Sequence, residues 1–366
     1  MVLVLVLLPS PSFVLVVVVV TTVPSFFADH PLRRVKAQAD VVLASMNAEF
    51  DAMYASVGRP SIAPERLLKA SLLIALYSVR SDRLFCEMLD YNMLFRWFLD
   101  MDLEERSFDH SSFSKNRVRL IEHDIAKGFF AGAVKQAKAQ GLLSDEHFTV
   151  DGTLIESWAS FKSLKRKDGT PPKSGPDGTG MVDFRGEKRS NATHESGTDP
   201  EAKLMRKGNG QPAKLSFGAH ALMENRSGLL VDVQITDSTL FEPKAAAPML
   251  DRRRQGRGAM RTLGADKGYY NKSFVAWLRT RHIAPHIARI EGRSAPGLDG
   301  RTTRHQSYLV SQRKRKRIEE IFGWMKSVGG LRRSRFVGIA KTQLAAYMVG
   351  AAYNLLRMAR LQPTTG

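Results

Sequence analysis

The order of patterns along the chain predicts an α/β protein preceded by an all-helical N-terminal portion. Three observations carry this reading. Apolar residues recur at helical spacing, behind N-cap signals, from Asp29 to about Gln140. From His147 onward, short apolar runs bounded by glycine and polar turns take over, as strands do. Helical stretches then alternate with those runs as far as Leu361, the order that a sheet with packed helices requires.

Residues 1–28 stand apart from the rest. Met1–Leu8 and Phe13–Val20 are wholly apolar, are divided by Pro9-Ser-Pro11, and precede the first cation, Arg33. The cationic start of a signal peptide is missing, and each run is too short to span a bilayer. The segment reads as an unstructured or spurious leader, and no membrane partner is expected.

The helical portion begins with Asp29-His-Pro-Leu-Arg-Arg. Ser61 and Pro64 are start signals for an apolar helix to Tyr77, Ser81-Asp-Arg begins another, and Asp109 caps a further one carrying Lys115 and Arg117. Short helices with tight turns and exposed Lys and Arg are compatible with a helix-turn-helix reader of DNA. They are equally compatible with a dimerisation bundle.

His147–Ile155 reads as a buried strand with Asp151 near its end and Gly152 leaving space beside it. Residues 162–213, rich in Lys, Gly, Pro and Ser, form a basic excursion with little regular structure. Lys214–Met223 and Leu229–Thr236 make a hairpin about Asn225–Gly228, and Pro243–Arg254 a helix ending in Arg252-Arg253-Arg254. A short strand then delivers Asp266, followed by Lys267 and Gly268. Asn271–Arg281 is a helix, His282–Ala288 a strand, and Glu291–Tyr308 a loop. On a helix spanning Gln312–Lys326, Ile318, Ile321, Phe322 and Met325 form the apolar stripe, and Arg315, Glu319 and Lys326 share a neighbouring band. Glu319 borders the buried face and Glu320 points away. Tyr347–Leu361 closes the chain as a packing helix.

Composition narrows the partner. Fifty-five Lys and Arg against 36 Asp and Glu leave a net charge of +19, so an extended polyanion is the expected partner. The single cysteine, Cys86, excludes an internal disulfide and a cysteine zinc site, which fits a reducing cytosol. Two aspartates at strand ends and a glutamate on a helix are hard oxygen ligands suited to Mg²⁺, and phosphoryl transfer needs little more than placed charge.

At these residues the sequence resembles the DDE-type transposases of bacterial insertion sequences. The blocks that carry the resemblance include Phe108-Asp-His-Ser-Ser-Phe-Ser-Lys-Asn116, Val150-Asp-Gly-Thr153, Gly264-Ala-Asp-Lys-Gly-Tyr269 and Glu319-Glu-Ile-Phe-Gly-Trp-Met-Lys326. The resemblance implies a helical N-terminal DNA-binding or dimerisation domain (29–140) and a ribonuclease-H-like mixed sheet with flanking helices (145–361), the excursion 162–213 being inserted in it. It also implies that Asp151, Asp266 and Glu319 form the catalytic, metal-binding triad, with Mg²⁺ or Mn²⁺ as cofactor in two positions. The family's Arg-x3-Glu-x6-Lys signature falls on Arg315, Glu319 and Lys326. A tyrosine expected three residues before the arginine is replaced by Gln312.

The expected function is cleavage and strand transfer at the ends of an insertion sequence. The partner is double-stranded DNA, element ends and target, with a homodimer or larger assembly forming on it in the cytoplasm, at the nucleoid. Arg315, Lys326, Lys267, Arg252, Arg253, Arg254, Lys115 and Arg117 are the candidate DNA contacts. Two other readings use the same residues: a DNA-binding regulator without catalysis, and a metal-dependent nuclease that cuts without joining.

Overall fold

The computed structural model of the chain describes residues 29–53, 62–170, 189–255, 260–290, 298 and 300–362. The leader, Ser61, part of the basic excursion and part of the expected loop after Glu291 lie outside these residues.

Seven helices come first: α1 (Leu32–Ala44), α2 (Asn47–Met53), α3 (Pro64–Leu76), α4 (Asp82–Tyr91), α5 (Met93–Phe98), α6 (His110–Glu122) and α7 (Ile125–Ala139). Their starts are locally determined. Ser81, Asn92 and Asp109 each accept a hydrogen bond from the backbone N–H three residues on, the usual way of satisfying a helix's first free donors. Helix α3 differs from the expectation, because its N-cap is Ala63 with no side-chain bond and Pro64 supplies the pre-set first turn.

The sheet is built from β1 (His147–Glu156), β4 (Lys203–Met205), β5 (Lys214–Glu224), β6 (Leu230–Asp237), β7 (Thr262–Ala265) and β8 (Ala284–Ile287). Strands β6, β5 and β1 pair antiparallel, then β1, β7 and β8 pair parallel. β4 continues the edge of β5 beyond β6. Three antiparallel strands followed by two parallel ones, in the order third-second-first-fourth-fifth, give the ribonuclease-H-like mixed sheet. Helices α8 (Glu242–Gln255) and α9 (Lys272–Thr280) connect the later strands.

Alternation along the strands divides the interior in two. Phe148, Val150 and Leu222 face Met249, Leu263, Phe274 and Leu278 in one core on the α8 and α9 side. Ala219, Ala221 and Met223 face the other way, into a core shared with Val35, Leu67, Phe113 and Phe129 of the helical segment. The helical segment and the sheet therefore pack on common apolar residues.

Four expectations change. The basic excursion holds a small antiparallel pair, β2 (Leu164–Arg166) with β3 (His194–Ser196), as well as β4. The Asn191 side chain pins β4 by donating to Leu204 O and accepting from Leu204 N. Within the expected loop, α10 (Gly300–Thr303) and α11 (Gln306–Lys314) form, and His305 caps α11 through Ser307 N. The helix read as Gln312–Lys326 is two pieces, with a 3₁₀ turn at Arg315–Arg317 before α12 (Ile318–Ser327). That tightening draws Arg315 to β7, its Cβ lying 3.5 Å from where a side chain on Gly264 would begin. Last, α13 (Ile339–Leu361) starts well before Tyr347. No helix among the described residues is long and apolar enough to cross a membrane.

Candidate active site

Parallel register places the two aspartates. Thr149 of β1 pairs with Gly264 of β7, so two residues further along both strands Asp151 and Asp266 stand at one level. There β7 ends and its pairing with β1 stops, while β1 runs on to Glu156 beside β5, so the gap opens at the carboxyl end of β7. Asp266 accepts from Gly268 N at 2.8 Å and so caps the 3₁₀ turn Lys267–Tyr269. Asp151 accepts from Gly152 N at 2.8 Å.

Helix α12 brings the third acid. Its apolar stripe is buried as read, with Ile318, Ile321, Phe322 and Met325 all inside. Glu319 is exposed at the edge, and its carboxylate has no hydrogen-bond or ion-pair partner among the described residues. Glu320 instead faces α13, 3.8 Å from Arg357. The neighbourhood of the three acids shows on Asp151. Burial pushes its carboxyl up to about 6, and the charges of Asp266 and Glu319 push the same way, against Gly152 N–H and Arg315.

Two cations of the expected signature border these acids. Lys326 Nζ donates to Thr153 Oγ1 at 2.6 Å, two residues along the strand from Asp151. Burial lowers the Lys326 pKa, helped by Lys207 and Arg332. Arg315 Nε donates to Gln312 Oε1 at 3.0 Å, and Gln312 Nε2 donates to His286 O at 2.5 Å. Gln312, standing where the family pattern has tyrosine, thus ties Arg315 to β8.

The other candidate cations are elsewhere. Lys267 and Lys115 are exposed, as is Arg254. Arg252 pairs with Asp232 at 2.9 Å; Arg253 pairs with Asp145 at 2.9 Å and stacks on Phe148. That cluster ends α8, about 15 Å along the helix from its acidic start. Arg117 pairs with Asp82 at 2.7 Å and lies over Phe336, so its guanidinium is committed to packing. Trp324 meets Tyr353 edge-on.

One more acid in the same space is not among the residues that the sequence singles out. Glu242, first residue of α8, has its carboxyl pushed up to about 7 by burial and by the charges of Asp266 and Asp151. Its local signal, an acid preceding a proline at a helix start, is the ordinary first-turn preference and points to no site.

The residues suit hard divalent cations. The donors are carboxylates, the charges of their neighbours add to burial in raising the pKa of Asp151 and of Glu242, and a bound cation would relieve that repulsion. No three His, Cys, Asp or Glu side chains among the described residues close on one point tightly enough to hold an ion as they stand. Mg²⁺, which keeps several waters and takes one or two carboxylates, does not require such a cage.

The sequence matches two families, "Transposase domain (DUF772)" over residues 24–119 and "Transposase DDE domain" over 184–355. No curated protein matches the chain. Among solved structures, a piggyBac transposase synaptic complex with hairpin DNA is 11% identical, with 91% of this chain and 72% of that one covered at a TM-score of 0.38. A Mos1 transposase paired-end complex with the left transposon end is 10% identical, with 84% and 80% covered at 0.21. Overlaps this loose say nothing about chemistry. The two family matches follow one another along most of the chain, helical segment first and sheet second, and on them the chain belongs to the DDE transposases of insertion sequences.

Proposed function

We propose that this transposase cuts the ends of its element and joins them to target DNA with Asp151, Asp266 and Glu319 as the catalytic acids. The observation that carries the reading is that Asp266 and Glu319, from distant parts of the sequence, lie near enough to Asp151 of β1 for their charges to act on it, beside the carboxyl end of β7. The acids would hold Mg²⁺ or Mn²⁺, which when bound stabilises charge on the attacking and leaving oxygens of the phosphodiester. Arg315 and Lys326 remain cationic and anchor phosphates flanking the cut; neither serves as a base. Gln312 and Thr153 hold those two cations in place. Exposed Lys267, Lys115 and Arg254 contact the DNA backbone further out, whereas Arg117, Arg252 and Arg253 act within the protein. The helical segment contributes DNA binding or dimerisation.

The test is an assay with labelled element ends, Mg²⁺ and target DNA. Asp151→Asn, Asp266→Asn and Glu319→Gln should each abolish cleavage and joining while the protein still binds the ends. Cleavage that survives Asp151→Asn would leave only a DNA-binding regulator, and cutting without joining would leave a nuclease.

A further inference from the structure

Glycine follows Asp151 directly and Asp266 at two residues, and both glycines open onto one carboxylate. A Cβ added at position 152 would lie 3.2 Å from Glu242 Oε1; one added at 268 would lie 2.6 Å from Glu242 Oε2 and 3.1 Å from Asp266 Oδ1. Any side chain at 268 would therefore force the glutamate away. Glu242 reaches this gap from α8, on the sheet face that carries Phe148 and Val150, whereas Glu319 comes from α12 on the other face. Among the described residues the Glu242 carboxylate has no hydrogen-bond or ion-pair partner.

Two further groups point into the same space with unused bonding capacity. His220, paired with Gly152 across the β1–β5 ladder, is 3% exposed. The Thr236 hydroxyl lies 3.0 Å from both Asp237 O and His220 Nε2, and when its one proton goes to the carbonyl it accepts from Nε2. In that arrangement Nδ1 carries the bare lone pair. Nδ1 has no partner, and it lies 3.1 Å from the same Cβ point at 152 that Glu242 Oε1 approaches. Tyr269, fully buried, likewise has a hydroxyl without a partner, close enough to Glu242, Asp151 and Asp266 to feel their charge. Buried polar atoms without partners are rare, and here they border an excess of negative charge.

We propose that Glu242 is a fourth carboxylate of the centre, which holds a divalent cation against Asp151 and Asp266 from the face of the sheet opposite Glu319. The proposal rests on the reading of those aspartates given above. His220 Nδ1 supplies an additional lone pair at that position, and a borderline cation such as Mn²⁺ accepts it more readily than Mg²⁺. Without a cation, like charge keeps the side chains apart; the ion draws them in.

The experiment measures Mn²⁺ binding to the full chain without DNA, by calorimetry and electron paramagnetic resonance, alongside melting temperature in chelator. Glu242→Gln should weaken binding tenfold or more, or remove one ion, while leaving the metal-free melting temperature unchanged or raised. Gly268→Ala should reproduce the weakened binding by displacing the carboxylate. If Glu242→Gln does not fold, Gly268→Ala decides on the same criterion. Wild-type Mn²⁺ binding in both variants, with binding lost in Asp151→Asn, overturns the role of Glu242 and leaves the triad intact. Unchanged binding in Asp151→Asn as well overturns the triad reading and this proposal with it.

Discussion

Lys69 in the helical segment and Asp151 in the sheet are both charged groups largely removed from water, and the protein treats them in opposite ways. Lys69 sits in a closed ring: its ammonium meets Asp40 at 2.6 Å and Asp100 at 2.5 Å, and Lys36 meets the same two acids at 2.8 Å each. Burial works against the charge of Asp100, yet hydrogen bonds from Lys36 and Lys69 more than offset it, and its pKa is lowered. The pKa of Asp151 is raised by burial and by the charges of Asp266 and Glu319, which Gly152 N–H and Arg315 do not offset. Charge matched by opposite charge stabilises the fold; charge left against like charge is tolerated where something else is to bind.

The largest expected effect comes from removing the unmatched charge. Asp151→Asn should lower strand cleavage by roughly a thousandfold or more, since the acid's contribution is made in the transition state. Its melting temperature should hold or rise, because the substitution removes repulsion. A variant that loses stability together with activity would place Asp151 in the same class as Lys69 and break the comparison.

His286 sharpens it by a third treatment of buried charge, namely neutralisation. It is 3% exposed, is hydrogen-bonded to Ser311 at 2.8 Å, and has its pKa lowered to about 4 by burial, with His147 and His305 adding. The unfolded chain takes up the proton near pH 6.5 and the folded one near 4. Stability is therefore full above pH 6.5 and falls as pH drops toward 4, by up to about 3 kcal/mol. His286→Gln should remove that part of the slope, as seen by subtracting its unfolding free energies from those of the wild type between pH 7 and 4.5. A difference curve that is flat with pH would exclude this account. A smaller effect follows at Lys326, where Lys326→Ala should reduce cleavage by about ten- to a hundredfold with little change in melting temperature, because it borders the acids without being one of them.

The same distinction explains what the sequence reveals. The strands carrying Asp151 and Asp266 and the hairpin after Lys214 are written in local pattern, apolar runs closed by Gly, Asn and Ser. The Glu319 band is legible because helical spacing sets which residues share a face, and Glu320 does turn toward Arg357. The 3₁₀ break at Arg315–Arg317 has no Gly or Pro to announce it; it goes with the close approach of Arg315 to Gly264, a residue of a distant strand. Glu242 is invisible for a related reason, since its proximity to Asp151 and Asp266 is created by the sheet. The pairing of Arg252 with Asp232 and of Arg253 with Asp145 is equally hidden, because those acids come from other parts of the chain.

The smallest effect tests the matched end of the comparison. Lys69→Met keeps the apolar stem in α3 and deletes the ammonium, leaving Asp40 and Asp100 with Lys36 alone. Were those acids deeply buried, stranding them would cost several kcal/mol. Their side chains are 40% and 59% exposed, so water can take over the lost bonds and the cost should be about 1–2 kcal/mol. Denaturant unfolding should register that loss while cleavage of labelled ends stays at the wild-type rate. A fall in cleavage without a fall in stability would mean that the ring communicates with the acids of the sheet, and charge pairing in the helical segment could no longer be treated as purely structural.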